Sequence, residues 1–358
     1  MTQDSTLMDI VAESVEEAQE DDNNPEAELN VVQNVNLAFN QLTDLAPLER
    51  LHNLRELNAA NNRITRFPVG QWPSVTHLNL NNNEISQLSH VCMPRLLVLS
   101  LNNNRIRRLN EPGSEAPYFT AEHFPRLHTL QIAQNKLYLL DSTPNDPNAP
   151  LTLDIQLPQL RALFLGGNAL TSLAVYIRQL TKVSPRELSE DQSQLDDQEL
   201  IREEIVKERG RSALGILPEL SVLNLRSNGI RELDGLTLET VPKLQYLNLR
   251  ENMIDSMEEI EKLQPLNRLQ TMILLENPIF EMKDYRLEMR VAVQSLRRLD
   301  KEVYTSQENE EADLLADQRK QERSTAEVIN RLHFMNALLY VTHVIVTDPK
   351  IRMSLPQR

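Results

Sequence analysis

Residues 96–106 read Leu96-Leu97-Val98-Leu99-Ser100-Leu101-Asn102-Asn103-Asn104-Arg105-Ile106. Leu96, Leu99, Leu101, Asn104 and Ile106 fill five fixed positions of a pattern that returns along the chain. The Asn position recurs at Asn40, Asn62, Asn83, Asn104, Asn135, Asn168, Asn228, Asn252 and Asn277, at intervals of 22, 21, 21, 31, 33, 60, 24 and 25 residues. Self-similarity at this period is the mark of a stacked repeat array. Leu-x-Leu sets two side chains on one face of a short strand. No single unit can bury that face alone, so units stack and share one continuous core. The turn after each strand leaves backbone polar groups inside the coil, and a buried Asn amide can satisfy them. The Asn column is therefore expected to be a structural ladder and is not assigned as a binding site.

Composition agrees with this reading. Leucine fills 59 of 358 positions and aromatics only 4%, which excludes an aromatic-rich β-sandwich. The formal charge of −15 is concentrated at two places. Residues 1–30 hold ten acids and no base, and residues 300–327 hold nine acids and four bases. Nucleic-acid binding needs clustered Lys and Arg against phosphate, so neither DNA nor RNA is an expected partner. The single cysteine, Cys92, cannot close an internal disulfide. The N-terminus lacks the basic and apolar regions of a signal peptide, and no apolar window is long enough to span a bilayer. A reducing cytoplasmic location and no membrane are expected.

Three intervals are long. Residues 111–121 and 141–150 are Pro-rich and expected to loop out. Residues 174–214 contain a charged stretch from Pro185 to Gly210, with Leu188, Leu195, Leu200, Ile201 and Ile205 as a partial apolar stripe. A surface helix or a disordered loop is expected there, the helix being preferred, with a partner contact as the sharper role.

The side chain between the two leucines of each Leu-x-Leu should face the concave side. These residues are Asn36, Asn58, Asn79, Ser100, Gln131, Phe164, Asn224, Asn248 and Ile273, flanked by Phe39, His77, Arg226, Tyr246, Arg250 and Glu251. Protein binding on this face is assigned to Asn58, Asn79, Phe164, Asn224, Arg226, Tyr246, Asn248 and Arg250, with Phe164 and Tyr246 as anchors because aromatics dominate interface energetics. After the last repeat, Tyr285, Met289, Ala292 and Leu296 form the apolar stripe of a helix over Asp284–Leu296, read as a cap. Residues 301–327 are acidic and read as an arm leaving the body. Ile329, Leu332, Met335, Leu338 and Leu339 then share one helical face. Leu332, Met335, Leu338 and Leu339 are assigned to partner docking.

No reactive constellation emerges. There is no GxxxxGK[ST], GxGxxG or GxSxG motif, and the seven histidines are scattered, with His123 and His128 badly spaced for a metal. No catalytic residue, cofactor or metal is expected, and the chain reads as a non-enzyme.

The repeats resemble the short intracellular leucine-rich repeats typified by the regulatory subunit of type-1 protein phosphatase and by the outer-arm dynein light chain. Glu276–Asp300 (ENPIFEMKDYR to LRRLD) is similar to the terminal cap of that class. The tract Arg297–Leu315, RRLDKEVYTSQENEEADLL, resembles the stretch after the cap in a leucine-rich-repeat family of radial-spoke proteins of motile cilia and flagella. The insertion at 174–214 and the apolar tail at 328–346 depart from that pattern. The expected fold is α/β: a leucine-rich-repeat solenoid of about nine repeats with parallel concave strands, a C-terminal helical cap and a helical arm. The expected division is a disordered acidic tail at 1–30, the solenoid and cap at 31–300, and the acidic arm with its apolar docking segment at 301–358. The resemblance implies a non-catalytic adaptor of the cytoskeleton, within the ciliary or flagellar axoneme. It would bind other axonemal or radial-spoke proteins in a large hetero-complex through the concave face and the arm. The alternative is a soluble regulatory or targeting subunit of an intracellular enzyme such as a protein phosphatase.

Overall fold

The computed structural model describes residues 31–109, 117–138, 153, 155–182 and 201–347. The acidic tail at 1–30, the insertion at 141–150 and the greater part of 111–121 lie outside the described residues.

Ten short strands stack in parallel in chain order: Asn34–Asn36, Glu56–Asn58, His77–Asn79, Val98–Ser100, Thr129–Gln131, Ala162–Phe164, Val222–Asn224, Tyr246–Asn248, Thr271–Ile273 and Arg298–Leu299. Glu302–Val303 adds an eleventh strand, antiparallel to Arg298–Leu299. The central residue of each three-residue strand points inward. The register joins Leu57, Leu78, Leu99, Leu130, Leu163, Leu223, Leu247, Met272 and Leu299 into one buried column. Leu80, Leu101, Ile132, Leu165, Leu225, Leu249 and Leu274, two residues on, form a second. The core is thus continuous along the stack, as the repeat spacing requires.

The Asn ladder closes each coil. Asn104 Nδ2 donates to the carbonyls of Leu80 (3.0 Å), Leu101 (3.1 Å) and Asn102 (3.3 Å), and its Oδ1 accepts the N–H of Ile85 (3.0 Å). Asn62, Asn83, Asn135, Asn168, Asn228, Asn252 and Asn277 repeat the arrangement between neighbouring coils. The residue before each ladder Asn has a left-handed backbone: Asn61, Asn82, Asn103, Gln134, Gly167, Ser227, Glu251 and Glu276 all show φ between 55° and 68°. That turn aims the amide inward.

The insertion at 174–214 is not helical where it is described. Ala174–Lys182 and Ile201–Ser212 form an antiparallel strand pair outside the main sheet. The first of these is rich in Val, Tyr, Ile and Thr, which favour a pleated backbone over a helix. Ile201 and Ile205 of the expected helical stripe sit in the second strand. Leu188, Leu195 and Leu200 lie outside the described residues. At the root of the pair, Ala213 donates its N–H to the carbonyl of Leu173 (2.8 Å). A Cβ on Gly235 would lie 2.0 Å from that same carbonyl oxygen, so this coil passes under the hairpin only with glycine.

Among the described residues, three α-helices lie in the C-terminal part of the chain, the first within a coil and the other two after the last ladder asparagine. Helix α1, Met257–Glu261, is capped by Ser256, whose side chain accepts the N–H of Glu258 at 3.1 Å. Helix α2, Tyr285–Ala292, buries Tyr285, Met289 and Ala292, as its spacing predicts. It ends before Leu296, because the chain leaves the helix at Val293, which is itself buried. Helix α3 spans Ser306–Thr347.

Candidate interaction surfaces

The sheet register brings the nine expected concave residues into one row, from Asn36 through Asn58, Asn79, Ser100, Gln131, Phe164, Asn224 and Asn248 to Ile273. Their chemistry is less free than their identity suggests. The Oδ1 atoms of Asn36, Asn58, Asn79, Asn224 and Asn248 each accept the backbone N–H two residues on, at 3.0–3.3 Å. These are Asx turns that shape the strand exit. Gln131 Oε1 accepts from Asn102 Nδ2 (2.9 Å) and Ser100 Oγ (3.3 Å). Asn248 and Ser100 are buried. The Asn members are first of all turn formers, with their Nδ2 groups the atoms left for other contacts.

A second row runs beside the first and escaped the sequence reading apart from His77 and Tyr246. It contains Asn34, Glu56, His77, Val98, Thr129, Ala162, Val222, Tyr246, Thr271 and Arg298. Its signal was available in the position before the first Leu of each Leu-x-Leu. Together the rows divide the face. Its N-terminal part is a trough of about 450 Å³ lined by Asn34, Asn36, Glu56, Asn58, His77 and Asn79 together with the apolar Val35 and Val98. Its C-terminal part carries Ala162, Phe164, Val222, Tyr246 and Ile273, all half-buried.

Arg226 and Arg250 are not free cations. Arg226 pairs with Glu251, and Arg250 pairs with Glu276 and reaches Glu251 at 3.4 Å. These pairs run along the turn rim from coil to coil. Glu251 also accepts the hydroxyl of Ser227. The hydrogen bond from Arg226, followed by that from Ser227, holds the Glu251 carboxyl well below the usual range, at about 2. Phe39, at the equivalent rim position of the first coil, is 82% exposed with φ 63°.

The second surface is the arm. Thr305 and Glu308 form a capping box: Thr305 Oγ1 accepts the N–H of Glu308 (3.2 Å), and Glu308 Oε2 accepts that of Thr305 (2.7 Å). The Thr-x-x-Glu spacing is the sequence signal for this cap. The first turns of α3 then dock on α2. Ala312 is buried, and Leu315, Ala316 and Arg319 on the same face are half-buried. Arg286 binds Glu308 at 2.9 Å and lies 4.6 Å over the Tyr304 ring. Arg290 binds Asn309 (2.9 Å) and Asp313 (3.3 Å), and Arg319 grips Glu288 with two bonds of 2.7 and 2.8 Å. Arg286, then the Thr305 N–H, lowers the Glu308 carboxyl to about 2. A cleft of about 500 Å³ opens between α1, α2 and α3 past this contact.

From Gln321 to Met335 every described side chain of α3 is exposed. Ile329, Leu332, Phe334 and Met335 present 47–66% of their surface. The described part of the apolar segment does not fold back on the solenoid. The backbone at Leu338 and Leu339 is helical, and their side chains lie outside the described residues.

Among the described residues, no group of three or more His, Cys, Asp or Glu is placed to share a metal ion. No described helix is long and apolar enough to cross a membrane. His90 and His123 stack at 5.1 Å beside Tyr118, away from both surfaces, in the coils whose short outer strands Gly70–Gln71 and Val91–Cys92 pair in parallel.

The repeat pattern is matched by comparison with known proteins. Residues 182–329 fit a family model described as leucine-rich repeat, and residues 52–92 one described as leucine-rich repeats in two copies. The chain has a leucine-rich-repeat fold. It is similar to leucine-rich repeat-containing protein 23 of Bos taurus, 38% identical over 97 residues, covering 27% of this chain and 28% of that one. The same protein of Homo sapiens is 35% identical over 107 residues, covering 30% and 31%. The matched stretch thus spans less than a third of these relatives' length. Among solved structures, the leucine-rich repeat domain of APL1B is 20% identical, with 72% of this chain and 57% of that chain covered and a TM-score of 0.45. The LRIM1/APL1C complex gives 19%, 77%, 40% and 0.42. The tract Arg297–Leu315 has a clear structural task in this leucine-rich-repeat chain. It supplies the closing hairpin, Tyr304, the capping box and the buried Ala312 that seat the arm.

Proposed function

We propose that this chain is a non-catalytic structural adaptor of the ciliary or flagellar axoneme, a radial-spoke component that binds other spoke proteins through its concave face and its C-terminal arm. The observation that carries the reading is the tract Arg297–Leu315, which resembles radial-spoke leucine-rich-repeat proteins and here fixes the direction in which a long helix leaves the solenoid. A rigid array of coils with an exposed helix anchored at one end presents two separate surfaces, which is what a bridging subunit needs. The exposed Ile329, Leu332, Phe334 and Met335 suit burial against a partner. The similarity to leucine-rich repeat-containing protein 23 supports the same direction.

The test is extraction. The tagged chain is expressed in ciliated cells, flagella are isolated, and membranes and matrix are stripped with detergent and then salt. Retention on the microtubule axoneme is expected. Release into the soluble fraction, with stoichiometric co-purification of a phosphatase, would favour the regulatory-subunit reading. The charged and aromatic second row, Glu56, His77, Tyr246 and Arg298, is the observation that keeps that reading in play.

A further inference from the structure

The two ends of the concave face differ in kind. Phe164, Val222, Tyr246 and Ile273 stand on four successive strands, half-buried and facing the concavity. The charges around this patch differ as well. On the turn rim, Arg226 and Arg250 are neutralised by Glu251 and Glu276 of the following coils. At the C-terminal end of the patch, one strand beyond Ile273, Arg298 continues the row of Val222, Tyr246 and Thr271, and it and Arg297 are exposed and make no ion pair among the described residues. The turn rim is therefore electrically closed, and the C-terminal end of the patch presents positive charge.

We infer that the C-terminal half of the concave face holds an amphipathic α-helix of a partner protein, with its apolar stripe on Phe164, Val222, Tyr246 and Ile273 and an acidic end against Arg297 and Arg298. The dimensions suit a helix laid across the strands. Strands repeat every 4.8 Å or so and an α-helix about every 5.4 Å, so apolar side chains at i, i+3/i+4 and i+7 meet successive strands. Four strands span about 14 Å, the length of roughly ten helical residues. An extended strand gains nothing here, because each strand is already paired on both sides and offers no backbone edge. A basic end would meet the two arginines, and like charges set against each other suppress the wrong partner. The inference deepens the adaptor reading and rests on it only for the existence of a protein partner.

The experiment selects the chemistry directly. The full chain is used as bait for a phage library displaying a surface-randomised helical scaffold, with selection at low and then physiological salt. Enrichment of sequences with apolar residues at i, i+3/i+4 and i+7 and Asp or Glu at one end is expected. Binding of the selected helices should weaken about tenfold or more in Tyr246→Ala, checked for folding by circular dichroism. The exposed arginine pair is changed in a second variant, Arg297→Glu/Arg298→Glu, for which selection should switch to basic ends. Enrichment of basic or unpatterned sequences on the unaltered chain, or acidic binders indifferent to both variants, overturns the inference. Axonemal retention separates this from the broader reading: a retained chain that selects no acidic helix defeats the inference alone, and a chain that selects one but is absent from axonemes defeats the axonemal assignment alone.

Discussion

Tyr285 donates its hydroxyl hydrogen bond to Asp300 Oδ2 at 3.2 Å, tying helix α2 to the left-handed turn at which the solenoid ends. The other carboxylate oxygen of Asp300 accepts the N–H groups of Leu274 (2.8 Å) and Leu275 (3.1 Å). One coil earlier, the N–H of Leu249 is taken by the backbone carbonyl of Ile273. At the last coil the chain turns back at φ 57°, and a side chain does what the next strand's carbonyl would have done. Burial, followed by the Asp300 charge, pushes the Tyr285 phenol far above its ordinary range, so it remains a donor at any working pH.

Asp300→Ala should therefore strand two backbone donors and the Tyr285 hydroxyl at once. A buried group left unpaired costs about 1–3 kcal/mol. The loss should fall on the terminal coil, because a repeat array loses stability near the lesion first. Hydrogen exchange should show earlier opening of Thr271–Ile273 and α2, with Asp300→Asn, which keeps an acceptor oxygen, much milder. Equal protection in wild type and Asp300→Ala would show that the cap is held by packing alone.

The ladder gives an internal comparison. Asn104 is buried and makes four hydrogen bonds, whereas Asn40 is exposed and donates to Leu37 and Ala38 within its own coil. Asn104→Ala should cost about 1–3 kcal/mol and Asn40→Ala well under half of that, in urea unfolding. Asn104→Asp should be as harmful as Ala, since a carboxylate cannot donate to the three carbonyls.

These ladder residues were readable because their spacing is fixed by the coil itself. The cap stripe Tyr285, Met289 and Ala292 was readable for the same reason. What escaped depends on which coil lies beside which. Arg226 and Arg250 look like free binding groups until coils 24 and 25 residues apart are aligned, which places Glu251 and Glu276 against them. The Asx turns that occupy the concave asparagines are local, but Leu-Asn-Leu alone does not separate a turn former from a contact residue. The strand pair at 174–182 and 201–212 is masked in the sequence by the charged stretch from Pro185, although Val175, Tyr176 and Ile177 just before it favour a strand.

Acid should loosen the arm in a defined window. The Glu308 carboxyl is held at about 2 against an ordinary value of 4.5. Its folded pKa is depressed, so its contribution is complete above about 4.5 and is lost as pH falls towards 2. Glu308 is a third exposed, so the effect is local and not a collapse of the solenoid. Limited proteolysis with an acid-tolerant protease should cut within 306–323 with rising ease from pH 4.5 to 2.5, and Glu308→Gln should be nicked readily at both. Cleavage independent of pH in the wild type would remove Glu308 from any role in docking.

Ala312 sets how closely α3 approaches α2, being 1% exposed on a helix whose neighbouring contacts are mostly ionic. A larger side chain has no space, and overpacking costs about 1–3 kcal/mol. Ala312→Glu adds a buried charge beside Asp313 and should lift the helix while the coils stay intact. Spin labels at Gln264 and Gln318 should then report a longer and broader distance distribution, with the unfolding midpoint of the solenoid unchanged. An unchanged distance would mean that the Arg319–Glu288 pair alone seats the arm.

Core and surface roles on adjacent coils can be separated by Leu225 and Tyr246. Leu225 is fully buried in the second apolar column, and Tyr246 is half-buried on the concave face of the next coil. Leu225→Ala should cost about 2–5 kcal/mol, the range for a cavity in a core that cannot relax. Tyr246→Ala removes a ring bordered by solvent and should cost far less in urea unfolding, while reducing axonemal retention of the tagged chain. Comparable destabilisation by the two would make Tyr246 a core residue. The apolar half of the concavity would then be packing surface, and partner binding would have to be carried by the arm.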